Sequence, residues 1–390
     1  VECALTPERE GHPHLMFFEE KTPVVIDNGS GWLKAGFGGE EQPKSVFPTL
    51  VGFPEDAVSL GEVARIKDWY AGQEAFELAD KLQLVQPIQD GEFVDWPAME
   101  KLWYHTLHYV LRVTPEEHPV LMSEPPVHDL AKKEEMTEIM FESFNVPKFY
   151  VQSQPVLSVF SSGRTSGVVL DSGDQMTHAV PIFEGYALPH AVISMNLAGQ
   201  DLTRYLRTIL QEQDHSVATL SDQVIRSIKE EKCYVAQDYE KELAQSGASR
   251  ADSFELPDGR QLYISTEAFR CPEALFQPSI IGSNFTGVSE TMYQAIQRCD
   301  EDVRRDMFKN VVLTGGSTMF KDIGLRLKRE LQNLAPPGTP LDVTGIPNRK
   351  YGAWIGGSIL SSTSTFSRLW ITKEEYKERG GGKVVHEKCF

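Results

Sequence analysis

The segment VVIDNGSG (24–31) is an apolar run that ends in an aspartate, a small polar residue and glycine, and VVLDSGDQ (168–175) repeats the pattern. This recurrence constrains the fold more than any other feature of the chain. Each acid, Asp27 and Asp171, is followed seven positions later by a basic or titratable residue, Lys34 and His178. An apolar run, a glycine-bearing turn and a second apolar run predict a β-hairpin in each case, over 24–37 and 168–183. Matching parts follow each hairpin. PVLMSEPP (119–126) reads as a buried strand entering a loop, and 131–145 as a helix with Met136, Ile139, Met140 and Phe144 at helical spacing. VVLTGGST (311–318) reads as a strand ending in Gly315-Gly316, before an amphipathic helix through Leu325, Leu327 and Leu331. The expectation is an internally duplicated α/β fold whose two hairpins face each other across a cleft. Segments 53–86 and 199–282 break the pattern and read as insertions, the second with its own helix over 222–236 and a PDGR turn at 257–260.

Composition fits two domains with substantial cores, since 390 residues carry 41% hydrophobic side chains and 30 glycines. The net charge of −18, without any block of basic residues, argues against direct binding to nucleic acid. No apolar run is long enough for a membrane span, and the opening VECALTPEREGHPHLMFFEEK lacks the basic region and apolar core of a signal peptide. The expected location is therefore the cytosol or nucleus. The five cysteines (Cys3, Cys233, Cys271, Cys299, Cys389) show no CxxC spacing and read as reduced packing residues. So do Trp69, Trp96, Trp103, Trp354 and Trp370, and residues 1–21 read as an N-terminal arm.

A glycine-rich turn exposes successive backbone N–H groups that bind anions, and glycine lets a phosphate approach closely. Two such turns facing each other could hold a polyphosphate. An aspartate at the end of each first strand would repel phosphate directly, so its role is to hold Mg²⁺, mainly through waters. Lys34 on the returning strand would neutralise phosphate charge, and Gly315-Gly316 before a helix adds a third anion-compatible turn.

IDNGSGWLKAGFGG, PEEHPVLMSEPP, MFESFNVPKFYV, LDSGDQMTHAVPIFEGYALPHA, CPEALFQPS, VVLTGGSTMF, WIGGSIL and the final KCF together resemble the actin family, nearly collinearly from about residue 23 to residue 390. The resemblance implies a two-lobed α/β fold of duplicated ribonuclease H-like units, shared with sugar kinases and the Hsp70 ATPase domain, with ATP or ADP and Mg²⁺ in the interlobe cleft. It implies a first lobe of 22–161 plus 351–390, with a small insert at about 49–86, and a second lobe of 162–350, with an insert at about 198–283. Carried over residue by residue, Ser30, Gly31, Trp32 and Lys34 form the first phosphate loop, and Ser172, Gly173, Asp174 and Gln175 the second. Asp27, Gln154 and Asp171 would hold hydrated Mg²⁺. Gln154 would orient the attacking water, assisted by His178, with Asp171 as the third catalytic position. Arg226, Lys229, Glu230, Gly315, Gly316, Ser317, Phe320 and Lys350 would meet the adenosine end. A glutamine that only orients water implies slow turnover, and Pro155 after Gln154 fits the first turn of a helix.

Departures from the family pattern fall mostly on surfaces. FPEDAVSLGEVARIKDWY (53–70) replaces the loop that inserts into a neighbouring subunit and carries Glu55, Asp56 and Glu62; PSIIGSNFTG (278–287) replaces the apolar plug with a tip made more polar by Ser283 and Asn284. Asp90 stands where the family has a histidine near the phosphate sensor, and Ala79 where it has an arginine. The front cleft for actin-binding proteins spans 161–167 and 360–369, with Thr363 polar where the family is apolar. One departure reaches the site. Gln175 replaces a loop glycine, and if that position needs positive φ or close backbone approach, a side chain there costs roughly 1 kcal/mol or more. Two functions follow from the resemblance. One is a filament-forming cytoskeletal ATPase, whose partners are itself, other actin-family subunits and actin-binding proteins. The other is a nucleotide-binding subunit of a larger host complex of the ciliary, dynactin-like or chromatin-remodelling kind. A small-molecule kinase of the same fold lacks any sugar-binding signature.

Overall fold

The computed structural model describes residues 21–54, 67–126, 129–245 and 252–389. Residues 1–20 of the expected arm, Cys3, Phe390, and Glu55, Asp56 and Glu62 of the 53–70 loop lie outside the described residues.

Two main sheets organise the chain. The first runs in the order Ile371–Thr372, Lys148–Ser153, Val120–Glu124, Val24–Asn28, Trp32–Phe37, Ser45–Pro48. The second runs Tyr186–Ala187, Thr177–Phe183, Gly167–Ser172, Val311–Thr314, Val343–Thr344, with Ile193–Met195 also paired to Thr177–Phe183. Their construction is the same. In each, a leading strand pairs antiparallel with its own return strand and parallel with a strand from much later in the chain. The leading strands are apolar on both faces because both are covered, as parallel sheet neighbours require.

Register carries the chemistry. Asp27 lies opposite Lys34 in the first hairpin and Asp171 opposite His178 in the second, so the seven-residue offset seen in the sequence becomes a cross-strand pair in both.

The sheets are joined by two helices, Gln154–Ser161 and Gly352–Ser362. They touch so closely that a Cβ at Gly356 would sit 1.8 Å from the Leu157 carbonyl oxygen, so only glycine fits there. The second helix is tied to the first sheet by Trp354, whose indole N–H donates to Val25 O at 3.0 Å. The first is tied to the second sheet by Ser158, whose hydroxyl donates to Thr314 Oγ1 at 3.1 Å. Trp103, Trp354 and Trp370 are buried in the core of the first sheet, as expected of packing residues, and the described cysteines are free and buried.

Three expected elements differ in detail. The helix expected over 131–145 is α-helical over Leu130–Glu138 and widens to a π-type turn over Ile139–Ser143. The helix expected over 222–236 ends at Lys232, where Cys233 turns extended (φ −81, ψ 145) and the chain bridges from Tyr234 to Lys321. Leu325 faces outward from the Ile323–Leu334 helix while Leu327 and Leu331 are buried, so the apolar stripe is narrower than three leucines suggest.

Candidate functional site

Asp27 sits at the end of a fully buried strand, where its carboxylate is satisfied on every side. Oδ1 accepts from the Ser123 hydroxyl at 2.7 Å and from Gln154 Nε2 at 2.9 Å, and Oδ2 pairs with Lys34 Nζ at 2.9 Å. Burial pushes its pKa upward, but the Lys34 charge and the bonds from Ser123, Lys34 and Gln154 outweigh it and hold the carboxyl below its usual value. Asp27 is thus a charged acid. Ser123 arrives from the neighbouring Val120–Glu124 strand and also accepts the Asn28 N–H at 2.9 Å, while the Trp103 indole donates to Asn28 Oδ1 at 3.0 Å. Gln154 opens its helix with Pro155 in the first turn, as the sequence predicts, and also donates to Asn28 O at 3.1 Å.

The second hairpin brings Asp171 to the same place. Burial and the negative charge of Asp27 push the Asp171 carboxyl up to about 6, against a weaker pull down from Lys34. Two carboxylates therefore share one lysine, a local shortage of positive charge. The late glycine pair closes in beside them. Gly315 has φ +87, and a Cβ there would lie 2.2 Å from Ser172 O and 2.7 Å from Asp171 Oδ1. His178, opposite Asp171, is held by Ser194, with Nδ1 2.8 Å from its hydroxyl; burial lowers its pKa to about 4, so the imidazole is neutral at pH 7.

The two turns meet. A Cβ at Gly31 would fall 2.6 Å from the Asp174 carboxylate, and Arg226 reaches Asp174 Oδ1 at 3.3 Å while stacking over the Trp32 ring at 5.6 Å. The backbone of the second turn is used by its surroundings. Gly173 O accepts from Ser317 Oγ at 2.7 Å and Gly199 N at 3.1 Å, and Asp174 O from Gln200 N at 2.7 Å, which seats the start of the Gly199–Gln211 helix on the turn. Lys229 is buried and donates to Gly199 O at 2.6 Å and Thr203 Oγ1 at 2.9 Å.

A family model described as Actin matches residues 18–390. The chain belongs to the actin family. Its two-lobed fold is that family's, with the two hairpins on facing lobes.

Within this actin-family cleft, most of the expected residues converge. Asp27, Gly31, Trp32, Lys34, Gln154, Asp171, Gly173, Asp174, Arg226, Lys229, Gly315 and Ser317 are linked by the contacts above, and Ser30 joins them through its carbonyl, which accepts from Gln86 Nε2 at 2.9 Å. Others do not converge. The Ser172 hydroxyl turns into its own hairpin toward Thr177 Oγ1 at 2.8 Å; Phe320 is buried in the second lobe's core; Glu230 is exposed; and Lys350 lies over the Tyr351 ring at 5.1 Å. Gly316 is exposed, with open space where a Cβ would be. Gln175 does not have positive φ, so that condition for strain at the position is not met. Its side chain is buried and accepts the Asp90 N–H at 2.8 Å.

Sequence reasoning missed the residues that act through backbone. Ser123 was visible only as a small polar residue ending an apolar strand. Arg349, beside the expected Lys350, grips Thr318 O through Nε at 3.1 Å, and its carbonyl accepts from Gly315 N at 3.2 Å, which fixes the glycine pair. The donor set suits Mg²⁺. Asp27 and Asp171 offer hard carboxylate oxygens, while Gln154 presents its Nε2 to Asp27 Oδ1 and would meet a metal only through its hydration waters. Mg²⁺ characteristically keeps waters and binds through one or two carboxylates plus substrate phosphates.

Proposed function

We propose that this actin-family chain binds ATP or ADP with Mg²⁺ between its two hairpins and hydrolyses ATP slowly as a clock for assembly. The observation that carries the reading is Asp27 of the first hairpin, held by Lys34 and Gln154, with Asp171 of the second hairpin near enough to feel the charges of both Asp27 and Lys34. Asp27, Asp171 and Gln154 would hold the hydrated metal. Bound there, Mg²⁺ supplies charge neutralisation and template geometry for the β- and γ-phosphates.

The protein's part is positioning. Backbone N–H groups of Ser30 and Gly31 and of Asp174 would bind phosphate oxygens, the Gly173 N–H being taken by Met176 O at 2.9 Å, and Lys34 would neutralise charge beside them. Gln154 orients water in line with the γ-phosphate. Neutral His178 completes a water network without adding positive charge. The reaction as read needs no strong general base, and a glutamine that only orients water favours slow turnover. Ser30, Gly31, Trp32 and Lys34 are assigned to the first phosphate loop, Ser172, Gly173, Asp174 and Gln175 to the second, and Arg226, Lys229, Glu230, Gly315, Gly316, Ser317, Phe320 and Lys350 to the adenosine end.

Slow hydrolysis suits a subunit of a cytoskeletal filament, in the cytoplasm, that adds to copies of itself or other actin-family subunits. Exposed Ile359, Leu369 and Tyr186 supply apolar contacts near the front cleft for actin-binding-type proteins. A second reading, a nucleotide-holding subunit of a ciliary, dynactin-like or nuclear complex, is favoured by the 278–287 loop, whose exposed tip pairs apolar Phe285 with polar Asn284. No helix among the described residues is long and apolar enough to cross a membrane.

Sedimentation and imaging in Mg-ATP and physiological salt, with phosphate release followed in parallel, separates the two. Abundant filaments with phosphate release support the first reading and sink the second. Soluble protein that still retains ATP does the reverse.

A further inference from the structure

We infer that Gln175 is a positioning residue that ties the second phosphate loop to the opposite lobe through the Asp90–Gly91 turn, closing the cleft by a contact made of protein alone. The inference rests on the cleft being the nucleotide site.

The turn belongs to the two-residue hairpin of Ile88–Gln89 with Glu92–Phe93. Asp90 (φ 50) and Gly91 (φ 77) both have positive φ, the signature of a type I′ Asp-Gly turn. In such a turn the N–H of the first loop residue has no partner within the hairpin. Here its partner is Gln175 Oε1, at 2.8 Å. Because the donor is a backbone N–H, the carboxamide must present its oxygen, and Nε2 has no partner within the described protein. Gly91 lies beside the same turn, since a Cβ built there would be 3.6 Å from Met176 Cγ.

The hairpin is rigidly mounted on the first lobe. Phe93 is buried and stacks on Trp96 with centroids 5.1 Å apart, and Glu92 pairs with Lys132. Just ahead of it, Gln86 donates to Ser30 O in the first phosphate loop at 2.9 Å. One short segment, 86–93, therefore holds both phosphate loops, the first through Gln86 and the second through Gln175. Arg226, on Asp174 and over Trp32, makes a separate crossing between the same loops. Because each of these contacts uses protein groups only, the lobes stay tied when nucleotide leaves, and nucleotide exchange must break the Gln175 bond.

The test compares wild-type protein with Gln175→Leu, which keeps the bulk and removes the acceptor, and Gln175→Glu, which keeps an acceptor oxygen. Amide hydrogen exchange at Asp90 is measured without nucleotide, and release of a fluorescent ATP analogue is measured by chase with excess Mg-ATP. In Gln175→Leu both Asp90 exchange and analogue release rise about threefold to tenfold, the range expected for one lost hydrogen bond. Gln175→Glu keeps Asp90 as protected as in the wild type. Equal Asp90 protection in wild type and Gln175→Leu overturns the tie; faster amide exchange with unchanged release overturns its positioning role. Wild-type protein that binds no analogue refutes the nucleotide reading instead, and the amide exchange still decides whether the tie exists.

Discussion

At the scale of single residues, the site divides one chemistry between two carboxylates with opposite environments. Asp27 is ringed by donors and stays charged, whereas Asp171 gains burial and a like-charged neighbour and is pushed up to about 6. A divalent ion held by the two acids would relieve that conflict more fully than Lys34 alone, because it would bring two positive charges. Gln154 has a different task. Replacing it with alanine removes the amide from Asp27 but leaves Lys34 and Ser123 on the acid, so ATP stays bound while phosphate release slows by about tenfold or more, in single-turnover assays. Loss of ATP occupancy in that variant would show that Gln154 holds the ligand and does not merely orient water. His178 makes a pH prediction. Its folded pKa is depressed to about 4 from 6.5, so the stability it contributes is intact above pH 6.5 and drains as pH falls toward 4. A His178→Gln variant, which cannot take up the proton, should show a flatter fall in denaturation midpoint between those two pH values. An unchanged slope would mean the imidazole is already solvated and protonates in the fold.

At the scale of elements, the hairpins were the most legible part of the sequence. Their strands, turns and paired offsets are all local, and Asp27 opposite Lys34 and Asp171 opposite His178 follow directly from a two-residue period. What joins the hairpins was less legible, because it depends on contacts between distant segments. Ser123, Arg349 and the Gln86 amide work by grasping backbone, a role that carries no sequence signature, and the outward Leu325 shows how a third apolar residue can mislead a helical stripe. At Gln175 the family pattern implied strain only if the position needed positive φ or a close backbone approach; its φ is not positive, and its side chain has a partner in the Asp90 turn. WIGGSIL contains a close helix contact, and Gly356 is the point where it matters. Gly356→Ala would place a methyl 1.8 Å from a backbone oxygen that no rotamer change can move. The helix pair must separate, so this change should lower stability by about 1–3 kcal/mol or more, read as a drop in the urea midpoint. Gly316→Ala, whose Cβ would meet nothing within 4 Å, is the matched control and should leave the midpoint close to wild type.

At the scale of the whole molecule, two sheets of the same construction are joined by two packed helices, and the proposed nucleotide would lie between their leading hairpins. A ligand that touches both lobes stabilises the closed form by mass action. Mg-ATP at about one hundred times its dissociation constant would therefore add about 2.7 kcal/mol to folding, seen as a rise in melting temperature that vanishes when Mg²⁺ is chelated. The most direct measurement counts nucleotide on the protein. Purified chain is incubated with Mg-ATP, desalted, denatured in acid, and its released nucleotide quantified by chromatography, beside an Asp27→Asn/Asp171→Asn double variant whose fold is verified by circular dichroism. A nucleotide site between the two hairpins gives one ATP or ADP per wild-type chain and an empty, folded double variant. A folded wild-type chain that retains no nucleotide and shows no calorimetric binding of Mg-ATP would contradict it.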